Sequence, residues 1–426
     1  MIKRCGIVSL SIYGWLTFSF VGGQQVYAGD YPANNVSLYS HVTLAEMGAD
    51  FAKDCWGYTS PSGREYAIMG LSQGPGFIEI TDPSNPVIVQ IVSTTNQAKD
   101  MKVYQNYVYS SSDDGPTNII DVSQIDDGIV TFVGSFSQGT HNVVMNEDSG
   151  YLYLALGGPL LIYDLADPTS PTLVGEWPGE THDAQVITYT DGIYTGREIA
   201  FVCAGWTGTF NIVDVTDKNN VFLVGSTSYK SATYTHEGWI SDDKQYYYVN
   251  DEIDDIQRTI IIDVSNIATP TVEGEFSSSV PTAIDHNLYI RDGFIFEANY
   301  TSGLRIFDTC DPLNPVETGF FDTYPANDNT SSQGAWSNYP FFPSGTVIVS
   351  DRQGGLFVLD VSDAVIPIAD CGVCIFDLDG DGVVATSDLL ELFAQWGTAG
   401  PADFDGSGAV GTNDLLILFA NWGPCP

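Results

Sequence analysis

Leu161-Ile-Tyr-Asp-Leu-Ala-Asp-Pro-Thr-Ser-Pro171 decides the fold, because the chain repeats it. An apolar strand, an acidic residue, a turn often written Asp-Pro or Ser-Asp and a second strand often ending in Val-Gly return six more times. They read Phe77-Ile-Glu-Ile-Thr-Asp-Pro-Ser-Asn-Pro86, Asn118-Ile-Ile-Asp-Val-Ser123, Asn211-Ile-Val-Asp-Val-Thr-Asp217, Ile261-Ile-Asp-Val-Ser265, Leu304-Arg-Ile-Phe-Asp308 and Leu356-Phe-Val-Leu-Asp-Val-Ser362. The aligned acids are Glu79, Asp121, Asp164, Asp214, Asp263, Asp308 and Asp360, at spacings of 42, 43, 50, 49, 45 and 52 residues. A period of roughly 40 to 50 residues with several short strands per unit is the signature of a β-propeller, one four-stranded blade per repeat. Seven repeats predict an all-β, seven-bladed β-propeller.

Further strands are expected between these phrases, at Tyr104 to Ser110, Tyr151 to Leu156, Tyr246 to Val249 and Phe294 to Phe296. The repeated acids read as scaffold. An Asp at the head of a tight turn accepts a hydrogen bond from its own backbone, and a following Pro presets φ. Val36 to Leu44 precedes the first complete repeat and reads as a lone strand that pairs into the last blade and closes the ring, removing the exposed edges of an open one.

The chain has 426 residues, with 54 Asp and Glu against 14 Lys and Arg, a formal net charge of −40. Such a surface repels polyanions, which argues against nucleic acid or an anionic membrane as partner. With 43% hydrophobic, 12% aromatic and only 16% charged residues, the chain is nonetheless built to bury a large core rather than to stay disordered. Met1 to Arg4 carries two positive charges, Cys5 to Val21 is an apolar run, and Val26-Tyr27-Ala28 offers the small residue of a cleavage site. Residues 1–28 therefore read as a signal peptide, 29–370 as the propeller and 371–426 as a separate module. No other apolar stretch of spanning length follows, so the mature chain is expected without a transmembrane segment, secreted to the exterior or the cell surface. Six cysteines remain beyond the signal: Cys55, Cys203, Cys310, Cys371, Cys374 and Cys425. An even number in an exported chain fits disulfides, with one of Cys371 and Cys374 expected to pair with Cys425.

Candidate functional residues cluster where each blade's first strand begins. There the chain reads Asp54-Cys-Trp-Gly57, Lys99-Asp-Met101, Thr140-His-Asn142, Thr181-His-Asp183, Thr235-His-Glu237, Asp285-His-Asn287 and Gly334-Ala-Trp336. Innermost strands surround the propeller axis, so equivalent positions form a ring around the channel. His141, His182, His236 and His286 hold one such position in four consecutive blades, and Asp100 is read as its occupant in the second. With Asp183, Glu237 and Asp285 beside them, four imidazoles form a candidate cage for a divalent cation or a set of acid/base groups. Trp56, Trp239 and Trp336 are candidates for an apolar wall. The competing structural role is that each histidine bonds a neighbouring blade's backbone.

From Cys371 onward there is no Lys or Arg, and two loops of one design follow. Asp377-Leu-Asp-Gly-Asp-Gly-Val-Val-Ala-Thr-Ser-Asp388 supplies carboxylates at loop positions 1, 3, 5 and 12, and Asp403-Phe-Asp-Gly-Ser-Gly-Ala-Val-Gly-Thr-Asn-Asp414 repeats the pattern. A hard cation needs several oxygens around one centre, a glycine allows the sharp turn, and position 7 offers a backbone carbonyl. The expected calcium ligands are Asp377, Asp379, Asp381, Val383 and Asp388 in the first loop. In the second they are Asp403, Asp405, Ser407, Ala409 and Asp414, giving two ions in a small all-α tandem EF-hand-like module. Matching helices are expected at Leu389 to Trp396 and Leu415 to Trp422.

The short tandem repeat, the absent first helix and Asp at position 12 resemble the dockerin type I module, which implies a cohesin-like or cell-surface partner, with Thr386-Ser387 and Thr412-Asn413 at that family's recognition positions. The propeller resembles the choice-of-anchor B family of LVIVD repeats through Gly63-Arg-Glu-Tyr-Ala-Ile-Met-Gly70, Thr181-His-Asp-Ala-Gln185, Tyr234-Thr-His-Glu-Gly-Trp239, Asn250-Asp-Glu252, Ile284-Asp-His-Asn-Leu-Tyr289, Ala298-Asn-Tyr-Thr-Ser-Gly-Leu-Arg305 and Gly334-Ala-Trp-Ser-Asn-Tyr-Pro340. That resemblance implies an exported propeller joined to a sorting or anchoring module. The leading expectation is a secreted or surface-attached binding protein tethered through a calcium-dependent tail, its propeller ligand unidentified. The alternative is an extracellular hydrolase or lyase acting on polysaccharide, with the channel histidines holding a metal or doing acid/base work.

Overall fold

Strands buried on both faces need apolar side chains in succession, and the second and third strands of every repeat have them. Glu198–Cys203 and Phe210–Asp214, for example, are buried at every residue, whereas the following strand Phe222–Thr227 is largely exposed. The computed structural model describes residues 31–137, 139–368, 376–379, 382–404 and 407–424. The expected signal peptide, Cys371, Cys374, Cys425, Asp381 and Asp405 lie outside the described residues.

Seven antiparallel sheets follow one another along the chain, one per repeat. Their inner strands begin at Ala52, Met101, Asn142, Asp183, Thr235, Asn287 and Ala335. Each inner strand packs beside that of the next blade, and Ala335–Tyr339 of the seventh returns to Ala52–Thr59 of the first. The fold is a seven-bladed β-propeller. Closure occurs where the sequence places it, with Ser37–Thr43 completing the seventh blade by antiparallel pairing with Gly355–Asp360. A second N-terminal pairing is additional: Ala33–Asn34 adds a fifth strand to the sixth blade.

Seven clusters of buried apolar side chains lie between consecutive blades. Between blades four and five, Phe201, Phe210 and Tyr247 meet with ring centroids 4.7 to 6.3 Å apart. Cys55 and Cys203 belong to two of these clusters as buried free thiols, which corrects the expectation that all six mature cysteines form disulfides. The Cys310 sulfur lies 3.7 Å from the Ile368 carbonyl.

The repeated acids are turn-formers. Asp121, Asp164, Asp214, Asp263, Asp308 and Asp360 each accept a hydrogen bond from the backbone N–H two residues on, at 2.7 to 3.0 Å. Glu79, a methylene longer, pairs with Arg64 instead. The Val-Gly ending also has a structural cause. In blades three to six the pairing of the outer two strands slips by one residue immediately before Gly175, Gly225, Gly274 and Gly319, a β-bulge that increases the local twist. At three of these glycines the turn of the following blade presses on the missing side chain, Ala364 lying 2.5 Å from a Cβ on Gly319. A Cβ on Gly175 would stand 2.3 Å from the Lys218 carbonyl oxygen, and one on Gly225 would stand 2.3 Å from that of Ile267.

Two expected elements differ in extent. Tyr104 to Ser110 is two strands, Met101–Tyr104 and Tyr107–Ser110, because Gln105 turns the chain at φ 55°. In the C-terminal segment there are two short helices, Thr386–Ala394 and Thr412–Ala420. They begin earlier than expected because the Asp388 and Asp414 carboxylates accept the N–H groups of Ala385 and Gly411, at 2.7 and 2.6 Å, and so start the first turn. Val384, Leu392, Ala402, Val410 and Leu418 form a small core there. No helix among the described residues is long and apolar enough to cross a membrane.

The bulge glycines allow a paired test by denaturant unfolding. Gly225→Ala should cost about 1–3 kcal/mol by overpacking. Gly274→Ala, whose Cβ would meet nothing within 4 Å, should leave stability nearly unchanged. Equal effects of the two substitutions would show that blade contact is not the reason for the glycine.

Candidate metal centre in the propeller channel

A backbone carbonyl can only accept a hydrogen bond, and that fact fixes the state of three channel histidines. His182 Nδ1 lies 2.9 Å from the carbonyl of His236, His236 Nδ1 lies 2.9 Å from that of His286, and His286 Nδ1 lies 2.6 Å from that of Trp336. Each Nδ1 therefore carries the proton and donates to the equivalent residue of the next blade, leaving Nε2 with its lone pair free to accept. The rings overlap as a staircase, with centroids 4.6, 4.3 and 4.4 Å apart along the series His141, His182, His236, His286. Burial pushes His236 and His286 down to about 3 and holds His182 well below its ordinary value, so all three are neutral at physiological pH.

Glu252, just past the second strand of blade five, turns its carboxylate onto two of these free nitrogens. Its oxygens lie 3.5 Å from His236 Nε2 and 3.9 Å from His286 Nε2. Tyr300 orients it by donating its phenolic O–H to Glu252 Oε1 at 2.6 Å. Tyr300 sits at φ 42°, an uncommon conformation for an aromatic residue, and its backbone is held by reciprocal hydrogen bonds with Ala335. One ligand atom from each of His236, Glu252 and His286 lies within 4.8 Å of the others. Two neutral imidazoles with pinned Nδ1–H groups and one carboxylate form a donor set suited to a divalent transition metal. A cavity of about 10 Å³, the size of one water, is bordered by His236, His286 and Lys99 but not by Glu252.

His141 differs from the other three. Its Nδ1 faces Lys99 Nζ at 2.6 Å and Asp113 Oδ1 at 2.9 Å, and its side chain is 33% exposed. Although burial opposes ionisation of Asp113, the hydrogen bond from His141 and the Lys99 charge hold its carboxyl well below the usual range.

Asp100 does not belong to the histidine ring, and the sequence alignment is corrected by one residue. The N–H of Lys99 donates to the Ser111 carbonyl just as the N–H groups of His141 and His182 donate to those of Ala155 and Cys203. Lys99 is thus the equivalent residue, and Asp100 aligns with Asn142, Asp183 and Glu237 in the layer below. There Asp100 accepts from Lys102 Nζ at 2.6 Å and from the N–H of Val143 at 2.8 Å. Burial and the Asp100 charge raise Asp54 well above its ordinary value and Asp183 to about 7; burial and Asp183 raise Glu237. Burial opposes the charge on Lys102, but these acids outweigh it and keep the ammonium protonated. Asp285 stands apart from both layers, accepting the N–H of Asp251.

The tryptophans part company as well. Trp336 packs on His286 at 4.8 Å, whereas Trp56 and Trp239 line a separate cavity of about 470 Å³ with Lys102, Gln185, Tyr339 and Phe341. The sequence reading missed Glu252, Tyr300 and Lys99 as site residues. Asn250-Asp-Glu252 was visible as an acidic stretch, but only the fold carries it from the far end of its strand to the histidines.

In the C-terminal segment, carboxylate oxygens of Asp377, Asp379 and Asp388 come within 4.8 Å of one another. Gly382 and Gly408, at loop position 6, take φ values of 86° and 93°, the left-handed turn for which glycine is suited. Asp377 accepts the N–H of Gly382 at 2.6 Å, and Asp403 accepts those of Ser407 and Gly408 at 3.1 and 2.8 Å. The Ala409 carbonyl receives the Ser407 hydroxyl at 3.2 Å, and Val383 lies in a two-residue strand.

Comparison with known proteins agrees with this architecture. The LVIVD repeat matches residues 96–125, 141–177 and 239–277. Among curated proteins none matches the sequence. Of solved structures, one titled as a mitotic checkpoint complex is 10% identical with a TM-score of 0.55, over 82% of this chain and 99% of that one. A protein from Lactobacillus plantarum is 15% identical with a TM-score of 0.52, over 66% and 85% of the two chains. At such identities the likeness is one of fold. The chain is a seven-bladed β-propeller built with LVIVD repeats.

The tautomer assignment is directly observable. In metal-stripped protein, nitrogen-detected imidazole spectra should show Nδ1–H for His182, His236 and His286. His236 and His286 should not titrate between pH 8 and 4, since their folded values lie near 3. Midpoints near the ordinary value of about 6.5 would contradict the structure.

Proposed function

We propose that this chain is a secreted or surface-attached propeller of the choice-of-anchor B kind that binds its ligand at a divalent metal in the channel, and that a calcium-stabilised, dockerin-like tail tethers it. The observation that carries the reading is the convergence of His236 Nε2, His286 Nε2 and Glu252, each oriented by a second hydrogen bond. Buried polar atoms without such a purpose are ordinarily satisfied within the fold. Here three Nδ1 atoms are satisfied, and two of the opposite nitrogens, those of His236 and His286, are turned onto one carboxylate. His236 and His286 would hold the ion with Glu252, while Tyr300 fixes the carboxylate. His182, next in the staircase, stands ready as a further nitrogen donor or as a neutral base beside a bound ligand. The ion would supply Lewis acidity and an open coordination position.

Support for the tail comes from the grouped Asp377, Asp379 and Asp388 oxygens, the two left-handed glycines and the duplicated helices. A calcium ion neutralises carboxylates that otherwise repel one another, so it stabilises such a loop. Export and a cohesin-like or cell-surface partner rest on the N-terminal sequence and on the dockerin resemblance.

Metal analysis after dialysis against zinc, with calcium present, should find one channel ion per chain. A His236→Ala, His286→Ala double variant should lose it, and Glu252→Gln should weaken it. Retention of the ion by the double variant would sink the assignment. For the tail, calorimetry on the full chain should resolve two calcium sites, and an Asp377→Ala, Asp403→Ala variant should give no calcium heat. Calcium-independent folding of the tail would count against the module.

A further inference from the structure

Two residues beyond the acid layer, the inner strands change character. Trp56, Lys102, Val144, Gln185 and Trp239 follow Asp54, Asp100, Asn142, Asp183 and Glu237 at that interval, and all five line the cavity of about 470 Å³. An adjoining cavity of about 490 Å³ shares Met145, Glu147, Gln185, Val186 and Trp239 with it and continues past Thr188, Ser241 and Asp242. Together they make a groove across the far ends of the inner strands of blades three, four and five. Each half has the size of an ordinary small-molecule site, roughly 300–1,000 Å³. One wall is aromatic. Neighbouring rings among Trp56, Trp239, Tyr289, Tyr339 and Phe341 lie with centroids 5.0 to 6.3 Å apart and planes inclined by 35 to 76°, so none stacks face to face on another. Arg291 fixes this wall by donating to the carbonyls on both sides of Phe341, those of Pro340 and Phe342, at 2.5 and 2.9 Å. The polar groups are few. Lys102 lies 4.3 Å from the Trp56 ring centroid and donates to Asp100, while Glu147 lines both cavities and Asp148 and Lys244 the outer one. Gln185, only 7% exposed, accepts the Ile240 N–H at 2.8 Å through Oε1. That bond fixes the amide's orientation and leaves Nε2 as a donor on the wall common to both cavities.

We infer that this groove is a second ligand site and that it takes a neutral oligosaccharide of several pyranose units. Charge excludes the other classes. An anion would find Lys102 already paired with Asp100 and would meet Glu147, Asp148 and Asp242, whereas a cation would find the Trp56 face already taken by the Lys102 ammonium. A purely apolar molecule would strip water from Gln185 and the carboxylates and return no hydrogen bond. A sugar ring meets both demands. Its C–H faces suit aromatic rings, and each hydroxyl at its edge can donate to a carboxylate and accept from an amide. The groove is aromatic over the channel axis and lined with Thr188, Thr190 and Ser241 at its outer end, so it matches a linear chain better than a single ring. Gln185 and Trp239, common to both halves, are the residues on which binding depends most. The site uses neither the channel histidines nor Glu252 and stands independently of the proposed metal.

Calorimetry on the full chain tests this with cellotetraose, xylotetraose, mannotetraose and maltotetraose as probes. At least one should bind at one site per chain, and roughly tenfold or more tightly than its own disaccharide, because the longer chain fills both cavities. Its affinity should be the same at low and high salt, since a neutral ligand has no charge to screen. Metal-stripped protein should bind it equally well, so loss of the metal reading would leave this one standing. Trp239→Ala should weaken binding about tenfold or more, through lost ring contact. Gln185→Glu should weaken it by a similar factor, because it keeps the acceptor for Ile240 N–H and removes the donor. That variant should unfold at the wild-type temperature, which separates lost binding from lost folding. Silence from all four tetrasaccharides overturns the inference, as does equal affinity for disaccharide and tetrasaccharide or unchanged affinity in either variant. Tetralysine or tetraglycine binding in place of the sugars would make the groove a peptide site and overturn it as well.

Discussion

Closure of the ring is the constraint on which everything else depends. Each blade buries its two faces against its neighbours, so an open stack would leave two apolar faces in water. Pairing of Ser37–Thr43 with Gly355–Asp360 completes the seventh blade and lets the seventh inner strand reach the first. Once seven sheets are packed in a circle, the separation of inner strands is set by side-chain packing between sheets rather than by any channel residue. That separation lets an imidazole on one blade reach the carbonyl at the same position of the next. The stacked histidines are thus a consequence of blade packing, and their tautomers are a consequence of the stack.

The inner strands then sort charge by depth. A position that carries lysine or histidine alternates with one that carries acid, because successive residues of a strand differ in direction and level. Lys99 and Asp100, adjacent in sequence, end in different electrostatic settings: one beside His141 and Asp113, the other against Lys102 and Val143. The channel consequently holds neutral imidazoles and a lysine paired with Asp113 at the histidine level, and carboxylates whose burial favours the protonated form beneath it. The net charge of the chain predicts neither, since most acids sit in turns.

The sequence showed the blades because each repeat writes its own turn: an Asp bonding two residues ahead is a local device, and six of the seven work as read. It also showed four of the channel histidines, since equivalent positions in a cyclic repeat must face one axis. Register was harder. Lys99-Asp100 matches the histidine motif almost equally well in either alignment, and only the hydrogen bond from Lys99 N–H to Ser111 decides between them. Glu252 escaped notice because it lies outside the repeated phrase and reaches the histidines only through the tertiary fold. In the tail, the spacing of oxygens and glycines was legible, while the helix starts depended on Asp388 and Asp414 folding back on the preceding N–H groups.

Cys55 and Cys203 lie sealed inside separate interblade cores, and burial pushes both thiols well above their ordinary values. A thiol that cannot ionise is a poor nucleophile, so in the finished propeller neither takes part in exchange or oxidation. The same two groups are ordinary reactive cysteines in a chain whose blades have not yet packed. In an oxidising medium, then, correct packing withdraws them from redox chemistry, and a chain that lingers unfolded is marked by the cross-links or oxidised sulfur it acquires.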